Sequence, residues 1–259
     1  MPASAAADGF NRKDLIEGLG KGLRVIEAFD DDHPRLTASQ AADRAGMTRT
    51  AARRHLISLV HFGYAASDGK QFWLLPRVLR LGQSYLGAAR LPRLVQPFIQ
   101  RVSQQCGETV NVSVLDGHEI VYVARSSPPR WISIGYQVGV RVPAHAVTPG
   151  VVVLASRSAE EVDAWIAAHD FTAFTAHTVT DKALFRADVR TAREQGYWAT
   201  GQQLDPALRG MSVALVDRKG VCKGAIGATT PASSYTQQSL VERLLPLLRE
   251  AALALRPLL

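Results

Sequence analysis

Residues 37–64, TASQAADRAGMTRTAARRHLISLVHFGY, read as a helix, a glycine turn and a second helix. Thr37 is an N-cap residue, Ala41, Ala42 and Ala45 recur on one packing side, and Gly46 supplies the turn. Thr48 caps the second helix, whose far end turns Leu56, Leu59 and Val60 inward. Its opening turns carry Arg49, Thr50, Arg53, Arg54 and His55. Residues four apart share a helix face, so Arg49 and Arg53 project together. Arginine suits bidentate contact with guanine, and the Thr48 and Thr50 hydroxyls suit a phosphate or a base edge. No acidic residue lies between Met47 and Ser67 to pair with this charge inside the chain. A basic helix set across its partner by a short turn is what a DNA major groove accepts. The alternative is a solvated basic face.

Upstream, residues 15–29, LIEGLGKGLRVIEAF, place Leu19, Leu23, Ile26 and Phe29 at helical spacing. Gly18, Gly20 and Gly22 do not form a phosphate cradle, because no Lys-Ser/Thr pair follows and no strand precedes. Residues 1–14 lack an apolar signal core and read as a frayed tail. Downstream, Asp68-Gly69 is a hairpin signal between two short strands. Three helices followed by a hairpin make residues 15–75 a winged helix-turn-helix. Lys70 near the hairpin tip is placed to reach a phosphate or the minor groove, or is simply a solvated turn lysine. Residues 76–92 form a linker helix that opens at Pro76, carries a Val78, Leu81, Tyr85, Leu86 stripe and is closed by Pro92. That stripe must be buried in its own domain or against a second copy.

Residues 93–259 change pattern. A helix to Cys106 precedes an alternating hairpin around Asp116-Gly117, then a strand and irregular segment over WISIGYQVGVRVPAH. Helices follow from Thr148, from Ser158 and over 181–195. Three strands around 197–230 and a last helix over 236–257 complete the order. Strands, helices and strands again give an α+β domain with helices packed on a face of the sheet. A chain of 259 residues with 47% hydrophobic residues has ample core for two such domains. Its net charge of +7 favours a polyanionic partner. Cys106 and Cys222 are the only cysteines, too few for a disulfide framework or a cysteine-rich zinc site, and read as thiols in a reducing cytosol. No run of 18 apolar residues is present, so no membrane span is expected.

The segments TRTAARRHLISLVHFGY, FWLLPRVLRLG, DGHEIVYVAR, VGVRVPAHAVTPG and ALRGMSVAL occur in an order that resembles the IclR family of bacterial transcription regulators. The likeness is strongest to the branch controlling aromatic-acid catabolism (Pca/Pob regulators) and covers about residues 15–250. It implies a homodimer or tetramer, a winged helix-turn-helix that binds promoter DNA, and a GAF-like effector-binding domain for a small aromatic carboxylic acid. No cofactor or metal is implied.

A carboxylate favours hydroxyl or backbone donors at the positive end of a helix. Thr148 and Gly150 offer such a start. Tyr136, His145, Met211, Ser212 and Thr229 are expected as the facing wall, with Tyr136 and Met211 sandwiching a ring. Each has an ordinary packing or capping role as its alternative. Three places depart from the family pattern: Ala146 where a polar or cysteine residue is common, Val151 where a basic residue is common, and Gln202-Gln203 where acids are usual. Two other functions compete. An enzyme acting on aromatic acids lacks support, since no G-x-S-x-G, H-E-x-x-H, Walker or C-x-x-C motif is present. A DNA-binding protein indifferent to ligands leaves the large second domain without a use.

Overall fold

The computed structural model describes residues 11–129 and 135–259. The described chain divides into two compact units between Ala88 and Ala89.

In the first unit, Arg12–Asp14 form a short 3-10 turn and α1 spans Glu17–Glu27. Strand β1 (Leu36–Thr37) runs into α2 (Ala38–Ala45) and α3 (Arg49–His61). Thr37 closes a capping box with Gln40, which satisfies two orphan amides of α2 at once. Gly46 ends α2 at φ 62°, a conformation that an L residue adopts only at a cost. Thr48 caps α3 by accepting the Ala51 amide at 3.3 Å. The small residues Ala41, Ala42, Ala45 and Ala52 let α2 and α3 approach closely, around Val25, Leu36, Leu56 and Phe72. Two expected core faces shift. Leu19 and Leu23 of α1 are exposed, and Val25 and Ala28 are buried in their place. In α3, Leu56 is buried and Leu59 packs against the core, but Val60 faces out.

Strands β2 (Ala65–Ser67) and β3 (Gln71–Leu74) complete a three-stranded antiparallel sheet in the order β1-β3-β2. The hairpin is present, with Gly69 at φ 94° and the Asp68 carboxylate accepting the Lys70 and Gln71 amides. Asp68 therefore flanks the turn, and Gly69 takes the one position that needs positive φ. After a 3-10 turn at Pro76–Val78, α4 (Leu79–Ala88) leaves Leu79, Leu81 and Tyr85 exposed. The helix breaks at Ala89, not at Pro92. Pro92 lies in the first turn of the next helix, where its missing N–H would have had no partner.

The second unit begins with α5 (Arg90–Cys106). It continues through β4 (Thr109–Asp116), β5 (Glu119–Ser126), β6 (Arg141–Pro143), α6 (Thr148–Ala155), α7 (Ala159–Ala168) and α8 (Lys182–Gln195). Then follow β7 (Trp198–Gly201), β8 (Leu208–Val216), β9 (Cys222–Pro231) and α9 (Gln237–Leu255). The expected strand start at Trp131 lies outside the described residues. The six strands form one antiparallel sheet in the order β6-β5-β4-β9-β8-β7.

Helices cover both faces of this sheet, where one covered face was expected. Val110, Val112, Met211, Val213 and Leu215 point into a core with α5 and α9. The opposite face packs Ile120 and Tyr122 against Val147, Val151 and Leu154 of α6 and its approach, with Trp165 and Phe185 beyond them. Period-2 alternation thus gives β8 two lives: Met211 on one side, Gly210 and Ser212 on the other.

Candidate functional site

In the first unit, Thr48, Arg49, Thr50, Arg53 and Arg54 are all exposed along α3, and Lys70 is exposed at the hairpin tip. Among the described residues, the ion pairs of this unit join Lys21 to Glu17 and Asp30 to His33 and Arg44, leaving the α3 arginines unpaired. Arg44 also donates to the Ala28 carbonyl at 2.6 Å, so this arginine holds the fold together. Arg49, Arg53 and Arg54 thus stand on the opening turns of α3 exposed and in no intramolecular ion pair. The lack of acids seen in the sequence carries through to the surface.

In the second unit, a cleft opens where the start of α6 meets the sheet. It measures about 540 Å³ with its open mouth. Its floor is a polar stripe on an otherwise apolar sheet face: Asn111 and Ser113 of β4, Thr229 of β9, Ser212 of β8 and Thr200 of β7. Asn111, Gly227 and Ser212 are directly opposed across β4, β9 and β8. Gly227 leaves the middle of this row to the Ser212 hydroxyl. A Cβ there would fall 2.2 Å from Ser212 Oγ and 2.6 Å from the Met211 carbonyl oxygen.

Thr148 Oγ1 and Ser212 Oγ are hydrogen-bonded at 2.8 Å, both buried, and this pair closes the α6 end of the floor. Tyr122 and Tyr136 stack with ring centroids 5.2 Å apart and make an aromatic wall. Burial, and secondarily Asp205, pushes the Tyr136 phenol up to about 12. Burial, with Tyr136 beside it, raises Tyr122 well above the usual phenol range. Both rings are therefore neutral near pH 7 and offer no charge that would repel an anion. Gln202, Gln203, Leu204 and Asp205, from the loop after β7, also line the cleft. Gln202 sits at φ 66°, and Thr175 and Thr178 donate to the carbonyls of Gln202 and Gln203 at 2.5 Å each. Arg209, the one cation among the lining residues described, runs across Gly201 at the rim.

Four of the seven residues expected at this site come together in the cleft: Tyr136, Thr148, Ser212 and Thr229. Three do not. Met211 lies on the other face, fully buried against the α5 and α9 core, because it neighbours Ser212 in the same strand. His145 is turned away, with Nε2 on the Thr172 carbonyl at 3.0 Å and Nδ1 on His169 Nε2 at 2.7 Å. Gly150 is a packing glycine. A Cβ there would fall 1.9 Å from the Ala144 carbonyl oxygen, and its amide is spent on Val147 at 3.2 Å. Asn111, Ser113, Tyr122, Thr200 and Gln203 were missed. Polar residues two apart in a strand, as in Asn111-Val112-Ser113, were the available signal. Of the three departures from the family pattern, Ala146 and Gln202-Gln203 line the cleft and Val151 is core.

Both units match family models: residues 18–69 the IclR helix-turn-helix domain, and residues 83–256 the bacterial transcriptional regulator IclR C-terminal domain. The chain belongs to the IclR family. This IclR-family member is 35% identical over 258 residues to the p-hydroxybenzoate hydroxylase transcriptional activator of Acinetobacter baylyi, covering 98% of this chain and 95% of that one. Among solved structures it resembles an IclR homologue from Microbacterium hydrocarbonoxydans complexed with 4-hydroxybenzoate, at 26% identity and TM-score 0.72 over 92% of this chain and 97% of that one. It also resembles the inducer-binding domain of the PobR transcription factor from Acinetobacter, a double mutant complexed with 3-hydroxybenzoic acid. That match has 30% identity and a TM-score of 0.63, covering 66% of this chain and all of that domain. IclR-family proteins of this kind carry a DNA-binding helix-turn-helix, and α2 and α3 are that element here. Among the described residues no helix is long and apolar enough to cross a membrane.

Proposed function

We propose that this IclR-family regulator senses a small aromatic carboxylic acid of the hydroxybenzoate class in the cleft beneath α6 and passes the signal to promoter DNA through α3. The observation that carries the reading is the cleft itself: a buried hydroxyl pair at a helix start, a glycine-floored slot, and a wall of two stacked neutral tyrosines. The helix start and hydroxyls suit a carboxylate, and the tyrosine faces suit a flat ring. Similar solved structures complexed with 3-hydroxybenzoic acid and 4-hydroxybenzoate support the same class. No catalytic step is assigned to it.

On the DNA side, a homodimer or tetramer sets two α3 helices in successive major grooves of a palindromic site. Thr48, Arg49, Thr50, Arg53 and Arg54 meet bases and phosphates, and Lys70 adds a backbone contact. Acid binding shifts the populations of states that differ in DNA affinity or in contact with polymerase. Arg53→Ala is expected to weaken specific promoter binding by about 1–3 kcal/mol. An unchanged gel-shift titration removes Arg53 from the reading set.

A thermal-shift titration tests the ligand class. Benzoate and hydroxybenzoates raise the melting temperature in a concentration-dependent way, because they bind the folded state alone. Short keto acids do not. A response confined to keto acids, or no response to any acid, contradicts the reading.

A further inference from the structure

We propose that Asn111 is the residue that selects a ring hydroxyl on the bound acid, so that the cleft prefers aromatic acids carrying a hydrogen-bond donor opposite the carboxylate. The inference rests on the aromatic-acid reading of the cleft. Asn111 lines the slot and is buried, 4% exposed. Its Nδ2 is oriented toward Thr229 Oγ1 at 3.4 Å. Its Oδ1 is buried with no hydrogen-bond partner. A native structure seldom leaves such an acceptor unmatched, and a bound group that supplies the missing donor is one resolution.

Position decides which part of the ligand that donor belongs to. Asn111, Gly227 and Ser212 stand in one row across three adjacent strands. The Asn111 and Ser212 backbones are therefore two strand spacings apart, about 9–10 Å. Gly227 between them contributes no side chain and the Ser212 hydroxyl leans into its place, so the Asn111 amide and the Thr148–Ser212 hydroxyl pair face each other across the row. A single aromatic ring laid across the row presents one end to each. Ser212 and Thr148 can donate, and the start of α6 favours negative charge, so the carboxylate belongs at that end. The opposite, para, substituent then meets Asn111 Oδ1.

Ether, halogen and hydrogen substituents of similar reach bring no donor and leave Oδ1 unmatched. A site built to bond a hydroxyl discriminates strongly against analogues that lack it. Calorimetric titration of the full chain with five acids tests this: 4-hydroxybenzoate and 4-aminobenzoate, which donate at the para position, and benzoate, 4-fluorobenzoate and 4-methoxybenzoate, which do not. The two donors are expected to bind the wild type at least tenfold tighter than the other three. Asn111→Leu, similar in volume and without an acceptor, is expected to abolish that preference, so that 4-hydroxybenzoate and 4-methoxybenzoate bind it alike. Should that variant not fold, Asn111→Val, a better strand former, carries the same comparison. A donor preference that survives loss of the amide overturns the role of Asn111, as does a wild type that binds 4-methoxybenzoate as tightly as 4-hydroxybenzoate. In both cases the aromatic-acid reading stands. Failure of all five acids to bind the wild type overturns that reading and this proposal with it.

Discussion

Gly150 and Gly227 show how much of this protein's second unit depends on the absence of a side chain. At Gly150 the space for a Cβ is already filled by the Ala144 carbonyl, 1.9 Å away. Gly150→Ala must therefore push α6 off the turn before it, and is expected to destabilise the fold by more than about 2 kcal/mol. A fall in the urea midpoint at unchanged m-value measures this. A midpoint equal to wild type would show that the turn yields freely. This glycine was legible in the sequence as a helix start, but not as a packing contact, since only the tertiary path of residues 144–147 brings a carbonyl against it. Met211 was a different kind of miss. Adjacent residues of a strand face opposite sides, so Met211 and Ser212 could never have shared a cavity. The alternation was available in the sequence and outweighed by the appeal of a thioether against a ring. Read strictly, the same alternation points to Asn111 and Ser113.

At the scale of elements, the caps were the most legible features. Thr37, Gly46, Thr48, Ser158, Asp181, Gly196 and Thr236 all sit at the helix ends that their chemistry suggests. The two Asp-Gly hairpins were placed well but framed one residue early. Asp116 pairs with Glu119, so Gly117 and His118 make the turn and Gly117 takes the positive φ of 61°. What local pattern could not show is the cluster formed when that turn, the segment before α6 and the end of α7 converge. His118 stacks on His169 with centroids 4.9 Å apart, and His145 bonds to His169 at 2.7 Å. Trp165 stacks on His169 at 4.4 Å, and Phe171 closes the other side. Asp170 and Lys182 are the charged neighbours, with opposite effects.

Burial, then the His145 and His118 charges, lowers the His169 pKa to about 4, and burial lowers that of His145 as well. The unfolded chain takes up these protons near pH 6.5, whereas the folded chain resists them down to about pH 4 for His169. The cluster's contribution is therefore complete above about pH 6.5 and is lost as pH falls toward 4. The slope approaches about 1.4 kcal/mol per pH unit for one such group. Urea midpoints taken from pH 7 to pH 4.5 are expected to fall steadily, and His169→Leu to flatten the fall. An equal slope in the variant rules the cluster out as its source.

At the scale of the whole molecule, the winged helix-turn-helix was almost fully legible, because local signals build it: caps, a turn glycine, a hairpin and a run of arginines without acids. The second unit was legible as α+β with its helices in order. Its cavity was legible only in part, because four strands distant in sequence contribute one or two residues each to a single floor. The order β5-β4-β9-β8-β7 brings Tyr122, Asn111, Thr229, Ser212 and Thr200 to one cleft, and no local pattern specifies that neighbour order. In the proposed function the same assembly supplies the regulator's input. A sheet face that buries polar groups around a trough is poorly stabilised when empty, and gains from a ligand that satisfies them.

Calorimetric titration of 4-hydroxybenzoate into the full chain and into Thr148→Val tests that claim most directly. The substitution removes the hydroxyl that meets Ser212 at 2.8 Å and keeps the shape of the side chain. One site per chain is expected in the wild type, with affinity at least about tenfold weaker in the variant, the loss of a charge-assisted hydrogen bond, and unliganded promoter binding unchanged. Identical isotherms for the two proteins would contradict the placement of the effector in this cleft.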